Sequence, residues 1–365
     1  MSGLTSAAGP RLGFQPQADG VTAFLSTLVN AGVATSAVGL VGTSEGILWE
    51  GAAGEARPGA PVETDSRFDF ASLTKPFTAT LALVLAADGT LPLTARIAEI
   101  WPEADPRLGK RPLEELLRHR AGVVAWAPLY RLCRTREDVL RLILGGELPT
   151  ARAETYSDLD YLLWGMTAEK VTGRPLAELM RTRILDPLGL DRVEPAPGDQ
   201  PDVVRSPMDT GKEADLAAKQ GLAIPTLPPP PIGKPQDGNA RFLMDLPDFG
   251  PLAGHAGLFG RARDLFALAS EWSTPGRLLQ QEHVTAALTG GRKFALGWWW
   301  RTLRGSAGPA LPPSSVGHTG FAGNSFWIDR ESRRIYVLLT ARIDPRCDMN
   351  RWRRGFHARA ARVNG

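Results

Sequence analysis

The chain has 365 residues, 43% of them hydrophobic and 22% charged. That composition excludes a disordered chain, and the longest apolar stretch, residues 79–87, falls far short of the ~20 residues a membrane-spanning helix needs. Lys and Arg (42) against Asp and Glu (39) leave a formal charge of +3, and with only 7 lysines the basic residues are scattered arginines. No nucleic-acid or membrane partner is expected from such a balance.

Residues 21–34 read as an amphipathic helix with Phe24, Leu25 and Leu28 on one face. Residues 36–42 and 46–51 read as two strands of a hairpin turning at Thr43-Ser44-Glu45. A strong helix follows at 72–87, closed by Asp88-Gly89. Shorter helices are expected at 113–120, 136–144, 159–172 and 175–184, with Gly173 placed to end the third of these. Residues 194–236 then change character: Pro195, Pro197, Pro201, Pro207, Pro225 and the run 228–231 predict an irregular excursion. Its two readings are a linker between independent domains and, preferred, an ordered loop rimming a site. Helices at 263–272 and 281–288 precede strands at 294–301, 316–318, 324–329 and 334–340, and a last helix spans 351–363.

Strands at both ends with helices between them predict an antiparallel sheet built from the two termini, with a helical subdomain inserted. The class is α+β. The expected division is 1–75 and 255–365 for the two parts of the sheet domain and 76–254 for the helical subdomain. In the last helix Trp352 and Phe356 are four apart and share one face, so they anchor it to the core and leave its arginines in solvent. Arg351, Arg353, Arg354, Arg359 and Arg362 make this helix the one basic cluster of the chain, and a stacking surface for nucleic acid is its alternative reading. Cys133 and Cys347 form neither a zinc pattern nor a disulfide framework; two free thiols are expected, with one long-range bridge as the alternative. Met1 to Phe14 shows no basic and then apolar leader, which predicts a cytoplasmic protein.

Three short motifs carry chemistry. In Ser72-Leu73-Thr74-Lys75 the lysine lies one turn on, within reach of the serine hydroxyl. Pro76 would clash with the Ser72 carbonyl inside a helix, so Ser72 must occupy the first turn, where free N–H groups favour a developing oxyanion. A serine needs a base, which an adjacent lysine can supply; a capping serine beside a solvated lysine is the plain alternative. In Tyr156-Ser157-Asp158, Asp158 is placed to cap the next helix. Tyr156 either packs its ring there or, beside a lysine ammonium, acts as a general base. In His318-Thr319-Gly320 the glycine lets a substrate approach the backbone, and the following amide can donate to an oxyanion.

In this order and spacing the three motifs resemble the penicillin-recognising serine hydrolases, which are β-lactamases, D,D-peptidases and related esterases. The stretches Phe70-Ala71-Ser72-Leu73-Thr74-Lys75-Pro76-Phe77, Gly317-His318-Thr319-Gly320-Phe321, Asp237-Gly238-Asn239-Ala240 and Gly254-His255-Ala256-Gly257-Leu258-Phe259 resemble the class C β-lactamase-related group, from about residue 20 to 362. The resemblance implies a β-lactamase/transpeptidase-like fold and Ser72 as the nucleophile of an acyl-enzyme. Tyr156, its pKa lowered by Lys75, would take the serine proton and pass it to the leaving group. The amides of Ser72 and Phe321 would form the oxyanion hole, and Thr319 and Gly320 would line the substrate site. His318 would orient Tyr156 or a substrate carboxylate. No metal or organic cofactor is implied.

Departures from the pattern bear on substrate. Asp158 stands where lactamases of this group carry asparagine; a carboxylate only accepts, whereas an amide also donates. Its charge would favour the Lys75 ammonium, unless Asp158 faces away as a cap. His318 replaces a lysine and is mostly neutral at its ordinary pKa. Both changes point to small ester or amide substrates, with β-lactam or D-amino-acid peptide hydrolysis as the alternative. A scaffold in which Ser72 acylates without turnover is the second alternative, disfavoured by the presence of Lys75 and Tyr156. Asp237 and Asn239 either line the pocket or cap the next helix, and His255 reads as a satisfied core histidine. Of Trp298-Trp299-Trp300, alternation puts Trp299 on the face opposite the other two, one face being core and the other a possible aromatic wall. Trp126 and Tyr130 either shape the acyl pocket or pack down.

Overall fold

The computed structural model describes residues 16–152 and 154–364; the stretch read above for a leader lies outside them. Two sheets organise the molecule. The larger contains β1 (Ala34–Thr43), β2 (Gly46–Arg57), β3 (Ala60–Pro61), and then, from the other end of the chain, β7 (Phe294–Ala295), β8 (Trp298–Trp300), β9 (Val316–Thr319), β10 (Ser325–Asp329) and β11 (Arg334–Arg342). Its order is β3-β2-β1-β11-β10-β9-β8-β7, antiparallel throughout, with Val38 opposite Leu339 where the two termini meet. The smaller sheet joins β4 (Phe68–Asp69), β6 (Leu258–Gly260) and β5 (Glu194–Pro195) in that order.

The central strands are covered on both faces, so they read as apolar runs and not as alternating ones. Along β1, Val38 and Leu40 face the main core, whereas Ala37 and Val41 face a second cluster under the terminal helices. The same period-two division places Val337 and Leu339 on one side of β11 and Tyr336 and Leu338 on the other. The terminal helices Pro16–Asn30 and Met349–Ala360 pack the second cluster through Val21, Leu25, Leu28 and Phe356. Helices of the main core include Thr74–Ala87, Asp158–Thr172 and Ala262–Ser273. This is the α+β, β-lactamase/transpeptidase-like arrangement, with helices between the sheet halves. None of the described helices is long and apolar enough to cross a membrane.

Several elements differ from the sequence reading for identifiable reasons. The first helix stops at Asn30 because Gly32, at φ +67°, turns the chain into β1. The stretch 113–120 holds one helical turn, Glu114–Leu117, before His119 reverses the chain at φ +56°. Residues 294–301 are a hairpin and not one strand: Leu296-Gly297 is a tight turn at Gly297 φ +82°, and Phe294 pairs with Trp299. The last helix buries Arg353 (7% exposed), contrary to arginines all in solvent.

The proline-rich excursion is ordered and not a linker. Buried Arg67 holds it through Asp202 (2.6 Å), Gln200 (2.6 Å) and Glu194. It contains the helix Gly211–Lys219, which the sequence reading did not place. Cys133 and Cys347 are both free, and burial pushes the Cys133 thiol up to about 11.

Candidate active site

The chain turns sharply just before Ser72. Ala71 adopts φ +49°, a conformation unfavourable for a residue with a Cβ. Buried Asp69 holds it there: one carboxylate oxygen accepts from the Ala71 N–H (2.8 Å) and the other from the Gln236 N–H (2.7 Å). Burial pushes the Asp69 carboxyl up to about 6, with those two hydrogen bonds acting the other way. Ser72 sits in a short 3-10 turn, Ala71–Leu73, that leads into the Thr74–Ala87 helix, as Pro76 requires.

Lys75 is fully buried, and its three N–H donors each have an acceptor. They reach Ser72 Oγ at 3.0 Å, Asp158 Oδ1 at 2.6 Å and the His255 carbonyl at 3.0 Å. Asp158 is available for this because it is not the helix cap. Ser157 takes that role, its hydroxyl accepting from the Asp160 N–H and donating to the Val124 carbonyl (2.8 Å). Asp158 therefore faces the site.

Tyr156 lies across from Ser72, with Lys75 Nζ 4.9 Å from its ring centre. Trp299, His119 and His318 enclose the ring at 5.3, 4.6 and 6.0 Å between centroids. The expectation of a lowered phenol pKa fails here. Burial and the Asp158 carboxylate push the phenol well above its ordinary value, and a hydrogen bond with Ser72 only partly opposes them. Asp158 balances the Lys75 charge that would otherwise stabilise a phenolate.

Gly320 brings the end of β9 against the turn that carries Ser72. A Cβ on Gly320 would lie 2.8 Å from the Phe70 carbonyl oxygen, so the approach needs glycine. The Ser72 and Phe321 N–H groups have no hydrogen-bond partner among the described residues, and both residues line one cavity of about 360 Å³. Tyr156, Asp158, Asp237, Thr319 and Gly320 line it too, with Trp126, Trp299 and Leu216 as apolar wall. Lys212 and Glu213 reach it from the Gly211–Lys219 helix, Arg342 from β11, and Arg353 from the last helix.

Other residues singled out in the sequence fall on either side of that wall. His318 is buried beneath it; its Nδ1–H donates to the Thr319 carbonyl (2.9 Å), and burial, then Lys75, hold it well below the ordinary histidine range. It is uncharged at neutral pH, so it offers no cation to a substrate carboxylate. Asp237 does both things considered for it: it caps the Gly238–Leu243 helix through the Ala240 N–H (2.8 Å) and lines the cavity. It also pairs with His255 Nε2 at 3.0 Å, which makes His255 a satisfied buried side chain. Asn239 does not line the pocket. It is buried against the 127–130 segment, donating to the Ala127 carbonyl (2.9 Å) and accepting from the Tyr130 N–H (3.3 Å). Trp298 is core, against Trp272 and Phe326, whereas Trp299 forms wall. Trp126 forms wall as well, and Tyr130 turns aside to donate to Glu213 (2.9 Å).

Asp69, Glu213, Arg342 and Arg353 were missed. None of them belongs to a short motif, and only the spacing of Asp69 three residues before Ser72 offered a hint. Burial with Asp237 pushes the Glu213 carboxyl up to about 7.

A β-lactamase family model matches residues 22–360. A putative D-alanyl-D-alanine carboxypeptidase of Escherichia coli (strain K12) is 30% identical over 312 residues, covering 76% of this chain and 69% of that protein. Esterase EstB of Burkholderia gladioli is 28% identical over 345 residues, covering 83% and 85%. Among solved structures, EstCE1, a hydrolase with promiscuous acyltransferase activity, matches with a TM-score of 0.74 at 19% identity over 94% of this chain and 98% of that one. With Ser72 and Tyr156 lining one cavity, Lys75 buried against Ser72 and the family match running nearly end to end, the chain belongs to the β-lactamase family of serine hydrolases.

Proposed function

We propose that the protein hydrolyses small carboxylic esters through an acyl-enzyme on Ser72. The observation that carries this reading is the Ser72–Lys75 contact of 3.0 Å beside a cavity lined by Ser72 and Phe321, whose N–H groups have no hydrogen-bond partner among the described residues. Those amides, of Ser72 and Phe321, are the oxyanion donors. As Ser72 Oγ bonds to the acyl carbon, its proton moves to Tyr156 Oη while the phenol proton moves to the departing alkoxide. A phenol held protonated can relay in this way without first ionising. Lys75 stabilises the negative charge developing on Ser72 Oγ and Tyr156 Oη, and Asp158 keeps Lys75 oriented. Water repeats the sequence in reverse to release the acid.

Three features favour an ester over a β-lactam. The wall of Trp126, Leu216, Trp299 and Phe321 suits an apolar acyl or alkoxy group. His318 carries no charge for a lactam carboxylate, and Asp158 cannot donate to an acylamide. The esterase EstB is one of the relatives. A second reading, amino-acid amide or peptide hydrolysis, draws support from the three carboxylates at the cavity, Asp158, Glu213 and Asp237, which suit a substrate ammonium. The test is intact-mass spectrometry of wild type and Ser72→Ala with a short-chain activated ester, a chromogenic cephalosporin and an amino-acid anilide, chromophore release being followed in parallel. Fast ester release with little lactam adduct, all lost in Ser72→Ala, is the expected result. Ester turnover retained by Ser72→Ala would end the nucleophile assignment, and anilide turnover outpacing the ester would favour the second reading.

A further inference from the structure

Phe321 of the turn Gly320–Gly323 lines the cavity, its N–H has no hydrogen-bond partner among the described residues, and each of the turn's four carbonyls is held by a side chain from elsewhere in the fold. Arg353 donates to the Gly320 carbonyl (Nη2, 2.8 Å) and the Gly323 carbonyl (Nε, 3.1 Å). Arg342 donates to the Phe321 carbonyl (3.2 Å), and the Thr340 hydroxyl donates to that of Ala322 (2.9 Å). Both arginines are buried, and neither has an ion-pair partner among the described residues. A buried charge without a counter-ion is costly, and burial, reinforced by Arg342, pushes Arg353 down to about 9. Arg342 gives its other hydrogen bonds to the carbonyls of Asp344, Pro345 and Cys347, whereas Arg353 places two donors on this one turn, an arrangement that calls for a function.

The connectivity supplies one. The Gly320 carbonyl and the Phe321 N–H belong to the same peptide unit, so a cation donating to that oxygen draws electron density from that nitrogen. Charge-assisted hydrogen bonds are roughly twice as strong as neutral ones, and at an oxygen screened from water the polarisation is not diluted. Resting on the reading of Phe321 as an oxyanion donor, we propose that Arg353 is a positioning residue that fixes the Gly320–Phe321 peptide against Ser72 and strengthens its N–H as an oxyanion donor. Arg342 bonds the next peptide along and fixes the turn without acting on the donating group.

Arg353→Met and Arg353→Lys test this with a neutral short-chain ester, kinetics being combined with the infrared stretch of an isotope-labelled acyl carbonyl on Ser72. Loss of a whole oxyanion donor costs about 100- to 1000-fold in kcat. Loss of its polarisation by Arg353→Met should cost about 10- to 100-fold, with KM changed less than about threefold. The acyl carbonyl band should move to higher wavenumber as its hydrogen bond weakens, and Arg353→Lys should fall between wild type and Arg353→Met in both readouts. A rise in KM with kcat retained would overturn the proposal in favour of a direct substrate contact. A fall in kcat with the band unmoved would overturn it in favour of a scaffold role. If Arg353→Met does not fold, the band position in Arg353→Lys decides. Turnover retained by Ser72→Ala would instead sink the acyl-enzyme reading beneath it, whatever Arg353 does.

Discussion

Asp158 is the departure from the family pattern with the largest consequence, and replacing it separates charge from shape. Lys75 has no exposure and its side chain spends one of three donors on Asp158 at 2.6 Å. Asp158→Ala leaves a buried ammonium with the Ser72 hydroxyl and the His255 carbonyl only. Removing one partner of a buried pair costs about 3–5 kcal/mol. At about 2 °C per kcal/mol for a chain of this size, the melting temperature should fall by about 6–10 °C. Asp158→Asn keeps an oxygen for Lys75 and loses only the charge, so about 1–2 kcal/mol is expected. The same asparagine adds an N–H donor toward the cavity. Cephalosporin acylation relative to ester turnover should therefore rise about five- to tenfold, the value of one added hydrogen bond. Differential scanning calorimetry and intact-mass acylation rates measure the two effects. If both variants melt within 1 °C of wild type and the acylation ratio is unmoved, the Asp158 carboxylate is not what holds Lys75, and the electrostatic account of Tyr156 goes with it.

Two further outcomes follow from the turns that flank Ser72. Gly320→Ala places a Cβ 2.8 Å from the Phe70 carbonyl oxygen, so the Gly320–Gly323 turn must withdraw, and kcat on a short-chain ester should fall at least about tenfold with far-ultraviolet circular dichroism unchanged; retained turnover would mean that the two segments separate freely. Asp69 has a pKa raised from 3.8 to about 6, so its folded form holds the proton more tightly than the unfolded chain does. The stability this contributes is complete below about pH 4 and is lost as pH rises through about 6, an integrated change of about 3 kcal/mol at most. Denaturant titrations at pH 4 to 7 should show the wild type losing stability relative to Asp69→Asn across that window, and a flat difference would contradict the burial argument.

The motifs were legible in the sequence because each is local. Ser72 and Lys75 are three apart on a helix, Pro76 limits where that helix begins, and Gly320 precedes the amide it exposes. The long helices were legible for the same reason: 136–144 carries periodic apolar residues and 159–172 a long, mostly apolar run, each between clear boundaries, and the structure places them at Arg136–Leu144 and Asp158–Thr172. The helix Gly211–Lys219 was not, because its surroundings are rich in proline and its burial comes from contacts with distant chain, such as Glu213 with Tyr130 and Gly238. The hairpin at Gly297 was hidden inside an apolar run; a turn of two residues in such a run leaves no polar signal, and what enforces it is the approach of Ala79, 2.3 Å from where a Cβ on Gly297 would lie.

Electrostatics was the part that sequence could not reach. Asp158 reads as a cap from its position, yet Ser157, one residue earlier, takes the cap and releases Asp158 to Lys75. Tyr156 reads as a phenolate beside a lysine, yet the same Asp158 and full burial keep it a phenol. Arg353 reads as one more exposed arginine of the last helix, yet it is buried on the carbonyl of the Gly320–Phe321 peptide. The amino-acid sequence by itself determined the α+β class, the family and which motifs are to meet at one site, since those follow from short-range pattern and residue chemistry. Which charges meet, which are screened from water, and hence which protons each group holds were decided only by the tertiary structure, because they depend on burial and on partners 83 to 180 residues away along the chain.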